Sequence, residues 1–143
     1  MPKINQLYSE KVMEHFRHPK NMGEIKNPSI TGRVGNPLCG DILELQLKIV
    51  KKKVKGKEVE FIKDAKFKSF GCGAAIATSS MLTQLIKGKT IEDAKKISNQ
   101  TITESLGGLP PIKIHCSVLA QEAFDKSIEN WQKSKESKSK TNN

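Results

Sequence analysis

The sequence predicts a single α+β domain, a small antiparallel three-stranded sheet packed against helices, with one helix at the N-terminus and a long one towards the C-terminus. Three observations predict it. Apolar residues recur at helical spacing through residues 4–17. Residues 42–49 alternate with period two and are followed, across a lysine-rich turn, by a second β-prone run. From Gly73 onward the composition changes to strong helix formers. At 143 residues the chain suits one domain whose core needs neither metal nor disulfides to hold it together. A metal in such a chain would be functional rather than architectural.

The first helix carries Ile4, Leu7, Tyr8, Val12 and Phe16 at helical spacing, and HPKNMG ends it with Pro19 and Gly23. The turn-rich segment KNPSITGRVGNPLCG leaves room for a short edge strand around Ile30 to Val34. In DILELQLKIV, Leu43, Leu45, Leu47 and Ile49 alternate with Ile42, Glu44, Gln46 and Lys48, which gives a strand with one buried face. KKKVKGKE, with Gly56 at its centre, reads as the lysine-rich tip of an antiparallel hairpin. It leads into VEFIKDAKFKSF, whose Phe61, Ala65 and Phe67 mark a second long strand with an irregularity near Asp64. A helix follows from Gly73 to Lys87, broken by GKT at Gly88, and Cys72 falls at its first turn. Thr90 caps a short helix to Ile97 with Asp93 three positions on, and ISNQTITESLGG is a helical or turn region. Cys116 to Trp131 forms the final helix, carrying Val118, Leu119, Phe124, Ile128 and Trp131. The low-complexity end KSKESKSKTNN has no apolar area to offset ordering entropy, so the chain divides into a domain over residues 1–132 and a disordered tail over 133–143.

The formal net charge of +10 comes from lysine far more than arginine, and the seven aromatic residues are not interleaved with it. Lysine is a hydrated point charge poorly matched to bidentate base reading, so no nucleic-acid partner is expected. Residues 48–68 hold nine lysines against three acidic residues, and the end of the chain adds a second basic stretch. A solvated lysine-rich face accounts for both, and an acidic partner surface is the functional alternative. No apolar targeting segment opens the chain, no run reaches membrane-spanning length, and three cysteines cannot all pair within it. The expectation is a cytoplasmic protein of a reducing compartment, with its thiols free for chemistry and no membrane partner.

Those thiols carry the functional signal. Cys39 lies in GNPLCGD, Cys72 in FGCGAA and Cys116 in IHC, each where a glycine or proline segment meets a strand or helix. Asp41 stands two residues after the first cysteine and His115 immediately before the last, so Cys39, Asp41, Cys72, His115 and Cys116 form a coherent set of candidate metal ligands. A thiolate at a helix N-terminus is favoured by the dipole and by unpaired backbone donors, which suits Cys72 as ligand and nucleophile. Taken singly, Cys72 could be a small core hydrophobe, Asp41 a strand cap and His115 a satisfied polar residue. Together they offer sulfur, nitrogen and oxygen donors for tetrahedral zinc or a small iron-sulfur cluster. The spacings match no compact zinc-finger or ferredoxin run, and residue types alone do not choose the metal. His15 and His18, beside Arg17, read as partners of a helix C-terminus and are set aside as ligands.

In order along the chain, YSEKVMEHFRHPKNMG, GNPLCGD, FKSFGCGAAIATSS, KGKTIEDA and LPPIKIHCSVLA resemble the U-type iron-sulfur cluster assembly scaffold family, the family of NifU N-terminal-like domains. The resemblance runs from the first helix through the last and is highly specific. It implies a non-enzymatic scaffold that takes sulfur from a cysteine desulfurase, assembles a [2Fe-2S] cluster with iron and passes it to apo iron-sulfur proteins. The family's cluster cysteines look like Cys39, Cys72 and Cys116, its acidic residue for cluster lability like Asp41 and its histidine like His115. The main persulfide acceptor would be Cys116. The chaperone-recognition motif resembles Leu109, Pro110, Pro111, Ile112 and Lys113, implying an Hsp70-type chaperone with its J-protein and recognition in an extended mode. The hairpin stretch KIVKKKVKGKEVEFIKDA is longer and more basic than is usual for the family. A zinc-bound sulfur acceptor is the alternative reading, since the same thiolates and Asp41 suit zinc; the absence of a long insertion between Cys72 and Cys116 favours the scaffold branch. A basic nucleic-acid module has no recognition motif here, and a metal-dependent hydrolase has no clear general base.

Overall fold

The computed structural model describes residues 8–36 and 41–141. The elements are α1 (Glu10–Arg17), β1 (Ile30–Asn36), β2 (Asp41–Val54), β3 (Lys57–Phe70), α2 (Gly73–Ile86), α3 (Ile91–Lys95), α4 (Asn99–Ser105), a 3-10 turn (Pro111–Lys113) and α5 (Ile114–Thr141). The α+β architecture is as expected. A three-stranded antiparallel sheet in the order β1-β2-β3 carries the helices. Helix α5 lies along β1 and β2, while α2 packs between α1, β3 and α5.

The alternation in β2 sets the core. Leu43, Leu45, Leu47 and Ile49 point to the helices and are buried, each contributing about 2 kcal/mol of hydrophobic stabilisation. Gln46, on the opposite face, is also buried; its side-chain oxygen accepts a hydrogen bond from the Ile25 N–H at 2.7 Å, so the loop after α1 covers it. On β3 the expected irregularity is present and changes which residues are buried. Lys48 pairs with Asp64 but Ile49 pairs with Ile62, leaving Lys63 as the extra residue of a bulge. Beyond it the inward phase slips by one residue, so Ile62 and not Phe61 joins Ala65 and Phe67 in the core. Phe61 instead lies under Lys52, whose Nζ is 5.7 Å from the ring centroid.

Two other expected core residues face out. Phe16 is exposed and leans on Gly73, and Val118 is exposed on the first turns of α5. Residues 1–7, with Ile4 and Leu7 of the expected first helix, lie outside the described residues. The caps are local sequence at work. The Ser9 hydroxyl accepts from the Val12 N–H and donates to the Leu106 carbonyl, Thr90 accepts from Asp93 N–H, and Ser98 with Thr101 forms a capping box.

The final helix corrects the disorder expected after residue 132, as far as residue 141; residues 142–143 lie outside the described residues. It starts at Ile114 and continues to Thr141. Once a helix is nucleated by its packed half, lysine, glutamate and glutamine propagate it at little cost. Glu129 and Lys133 pair within the helix at 2.9 Å, and Lys135 reaches Glu60 on β3 at 3.0 Å, which ties the helix to the sheet at that point.

Candidate functional site

Two helix starts meet at one end of the sheet. β3 ends at Phe70, Gly71 turns the chain, and Cys72 becomes the N-cap of α2 with extended backbone angles and no capping bond from its sulfur. On the other side, Pro111 presets the φ of the 3-10 turn, α5 begins directly from it, and Cys116 falls in the first turn of α5. The sulfurs of Cys72 and Cys116 stand 3.6 Å apart. His115 Nε2 lies 3.5 Å from Cys116 Sγ. Three of the five candidate ligands are thus brought together from positions far apart in sequence.

The two thiols differ in access. Cys116 is 1 % exposed, set among Ala74, Ala75, Tyr8 and Leu109, whereas Cys72 is half-buried. The carbonyl of Cys116 accepts a hydrogen bond from Thr78 Oγ1 at 3.2 Å, which fastens the start of α5 to α2. Cys39 lies outside the described residues. Asp41 is described as backbone, opening β2 opposite Asn36. Among the described residues no three His, Cys, Asp or Glu side chains close into a metal-binding group.

Lys113 and Tyr8 complete the electrostatics. The Lys113 ammonium is held above the usual lysine range, first by the negative charge of the Cys72 sulfur, then by Tyr8, Cys116 and a hydrogen bond to Cys72, against the cost of burial. The Tyr8 hydroxyl is pushed up chiefly by burial; Lys113 opposes this and the two cysteines add to it. The spacing of Tyr8 marked it as a helix-face residue, but α1 begins at Glu10 after the Ser9 cap, so Tyr8 lies just ahead of the helix; no local signal set it beside the thiols, where it packs against the group of Ala74, Ala75 and Cys116. Exposed apolar side chains flank the thiols along the chain: Phe70 before Cys72, Ile114 before Cys116, and Phe16 against Gly73.

The LPPIK segment adjoins this site but is only partly extended. Leu109 packs against the group around Cys116, Pro110 is extended, and Pro111–Lys113 winds into the 3-10 turn. Proline at the first position of that turn, with φ already fixed, is the reason the segment coils where an extended approach was expected. Ile112 is described as backbone within the turn.

Comparison with known proteins follows the same outline. The NifU-like N terminal domain profile matches residues 7–138. The iron-sulfur cluster assembly scaffold protein IscU 1 of Archaeoglobus fulgidus is 48 % identical over 125 residues, covering 87 % of this chain and 76 % of its own length. The scaffold protein IscU of Rickettsia prowazekii is 46 % identical over 134 residues, covering 92 % of this chain and 96 % of its own. Among solved structures, the N-terminal NifU-like protein of Brucella abortus superposes with a TM-score of 0.63 over 91 % of this chain and 97 % of its own at 18 % identity, a likeness of fold. With the profile spanning nearly the whole chain and these relatives aligned along it, the chain belongs to the NifU-like N-terminal domain family.

Proposed function

We propose that this protein is a scaffold on which a [2Fe-2S] cluster is built from iron and desulfurase-derived sulfur and from which it is handed to apo-proteins. The observation that carries the reading is the pair of sulfurs from Cys72 and Cys116 at 3.6 Å, with His115 and Lys113 beside them at the meeting of two helix starts. Two thiols that close can share one small inorganic cargo, and the half-buried setting protects it from solvent while leaving a way out.

Sulfur arrives as the outer atom of a cysteine persulfide on the desulfurase. A scaffold thiolate attacks that atom; a new S–S bond forms as the old one breaks, and the desulfurase cysteine leaves as thiolate. Cys116 is the residue on which sulfur comes to rest. Since Cys116 is buried and Cys72 is half-exposed, Cys72 can take the sulfur first and pass it across 3.6 Å by the same exchange. Two sulfane sulfurs need four electrons to become two sulfides. Oxidation of two ferrous ions supplies two, and an external one-electron donor supplies the rest. Cys39, Cys72 and Cys116 hold the irons with Asp41 or His115 as the exchangeable fourth ligand, since oxygen and nitrogen donors bind iron less firmly than thiolate.

Transfer to apo iron-sulfur proteins then benefits from the exposed apolar residues around the thiols. An Hsp70-type chaperone with its J-protein would act on residues 109–113, and an extended mode of binding there requires the Pro111–Lys113 turn to unwind. In this reading the setting is the cytoplasm, with no membrane or nucleic-acid partner.

The test is anaerobic reconstitution with iron, cysteine and a cysteine desulfurase, followed by visible absorption, Mössbauer spectroscopy and transfer to an apo-ferredoxin. A [2Fe-2S] spectrum that declines as the acceptor gains cluster is expected, with Asp41→Ala retaining its cluster longer. Tightly held zinc, persulfide formation and no cluster would move the assignment to a zinc-bound sulfur acceptor.

A further inference from the structure

We infer that the lysine-rich tip of the β2–β3 hairpin is a docking edge for an acidic, extended segment of a partner protein, which pairs with β2 as an added strand. The hairpin outruns the sheet. β1 pairs with β2 only as far as Leu47, while β2 and β3 stay paired to Val54 and Lys57. The hairpin thus projects roughly 20 Å past the last β1 pair.

The two edges of this projection are not alike. On β3, the Ile62 N–H donates to the Lys89 carbonyl at 2.9 Å and the Ile62 carbonyl accepts from Gly88 N–H at 2.7 Å, so the loop after α2 covers that side. On β2, Ser29 is the last residue on the edge: its N–H donates to the Leu47 carbonyl at 2.8 Å and its hydroxyl accepts from the Ile49 N–H at 2.9 Å. Those two bonds fix the direction in which odd-numbered β2 residues aim their backbone groups. By the strand's period of two, Lys51 and Lys53 aim their N–H and C=O groups the same way, and among the described residues no strand or loop pairs with them. A free edge of this kind is a template for strand addition.

The side chains say what would add. Five of the seven residues 51–57 are lysine, and residues 51–58 are all exposed. The acidic neighbours are Glu58 and Glu60, across the hairpin from Lys53 and Lys51: Glu58 stands 3.9 Å from Lys51 Nζ in an exposed pair, and Glu60 is engaged by Trp131 and Lys135, so two carboxylates stand against five lysines. Lys52 is held over Phe61, which orients its charge on the outer face. A second copy of this chain would bring lysine against lysine along the edge, so self-pairing is repelled. Glutamate or aspartate at alternate positions of an incoming strand would meet these ammonium groups while its backbone satisfies the edge. Nucleic acid would use the charge but not the edge, and the tip lacks the arginines and stacking aromatics that such binding uses. The surface lies away from the thiols, so this inference stands or falls apart from the scaffold reading.

The full chain is titrated with a dye-labelled decapeptide alternating glutamate and valine, with the same peptide N-methylated at alternate amides, and with an oligouridylate of equal charge. Binding of the unmodified peptide is expected to weaken roughly tenfold with Lys51→Glu/Lys53→Glu and to weaken with added salt. The N-methylated peptide should bind much more weakly, and amide exchange at Lys51 and Lys53 should slow on binding. Lys51→Gln/Lys53→Gln, which removes charge without reversing it, should fall between wild type and the reversed variant; circular dichroism and melting confirm that both remain folded. Equal binding of the N-methylated peptide would overturn strand addition. Tighter binding of oligouridylate would make the tip a general polyanion face, and no peptide binding would leave the lysines as guards against edge pairing.

Discussion

Gly32 lies so close to Ser127 that a Cβ built on it would stand 2.6 Å from the Ser127 backbone nitrogen, with the Ala123 carbonyl oxygen at 2.7 Å. The atoms it would meet are helix backbone, which has no rotamer to escape into. This single contact sets how near α5 can approach β1, and α5 carries His115 and Cys116 at its other end. Gly32→Ala is therefore expected to cost about 3 kcal/mol by overpacking, seen as a melting temperature lower by roughly 10 °C. An unchanged melting curve would mean that the helix is free to lift off the sheet.

The thiols give an order of reactivity. Cys72 is half-buried at an uncapped helix start and Cys116 is 1 % exposed. In metal-free, reduced protein, iodoacetamide should label Cys72 at least about tenfold faster than Cys116, since thiol reactivity follows access as well as thiolate character. Peptide mass mapping over time reads this directly. Equal rates would show that the start of α5 opens readily, and would remove the reason for routing sulfur through Cys72.

Three of the five candidate ligands, Cys72, His115 and Cys116, were named from residue type alone and are found together in the fold. That Cys72 and Cys116 belong to one site was expected from residue type and family resemblance; the geometry that joins them was not, since their 3.6 Å separation is made by tertiary packing across 44 residues of chain. Tyr8 was hidden for the same reason. In the fold, alternation in β2 was read correctly because one face is wholly buried. Phe61 was misplaced because a one-residue bulge at Lys63 reverses the inward phase, and the sequence marked an irregularity near Asp64 without saying which way the phase would turn. The end of the chain misled through composition: lysine and serine look unstructured alone, but here they extend a helix already anchored by Phe124, Ile128 and Trp131.

The hairpin turn offers a stabilising change. Lys55 and Gly56 are the two loop residues between the paired Val54 and Lys57, and both have positive φ, 52° and 80°. A two-residue turn of this kind favours Asn-Gly, because asparagine tolerates the left-handed region better than lysine. Lys55→Asn should raise stability by about 0.5 kcal/mol, visible as a higher urea midpoint with an unchanged slope. A loss of stability would show that the lysine side chain makes a contribution its backbone angles conceal.

His15 should make stability depend on pH. It is buried on α1, its Nδ1 lies 2.7 Å from Ser80 Oγ, and that oxygen also accepts the Lys20 backbone N–H at 2.7 Å, which leaves the hydroxyl placed to donate to an unprotonated Nδ1. Burial holds its pKa below the ordinary histidine value of 6.5, with Glu14 opposing and Lys20 reinforcing. The unfolded chain thus takes up a proton near pH 6.5 while the folded chain resists until lower pH. In that window the unfolded state binds more protons, so stability rises with pH; the contribution is complete above 6.5 and is lost as pH falls towards the depressed folded value. Urea midpoints should therefore fall between pH 7.5 and about pH 5 more steeply in wild type than in His15→Asn, which can keep a hydrogen bond to Ser80 but cannot titrate. All other groups are common to both proteins, so the difference in slope belongs to His15. Parallel pH profiles would mean that its ring accepts a proton as easily in the fold as outside it, and that the α1–α2 contact is not sensitive to acid.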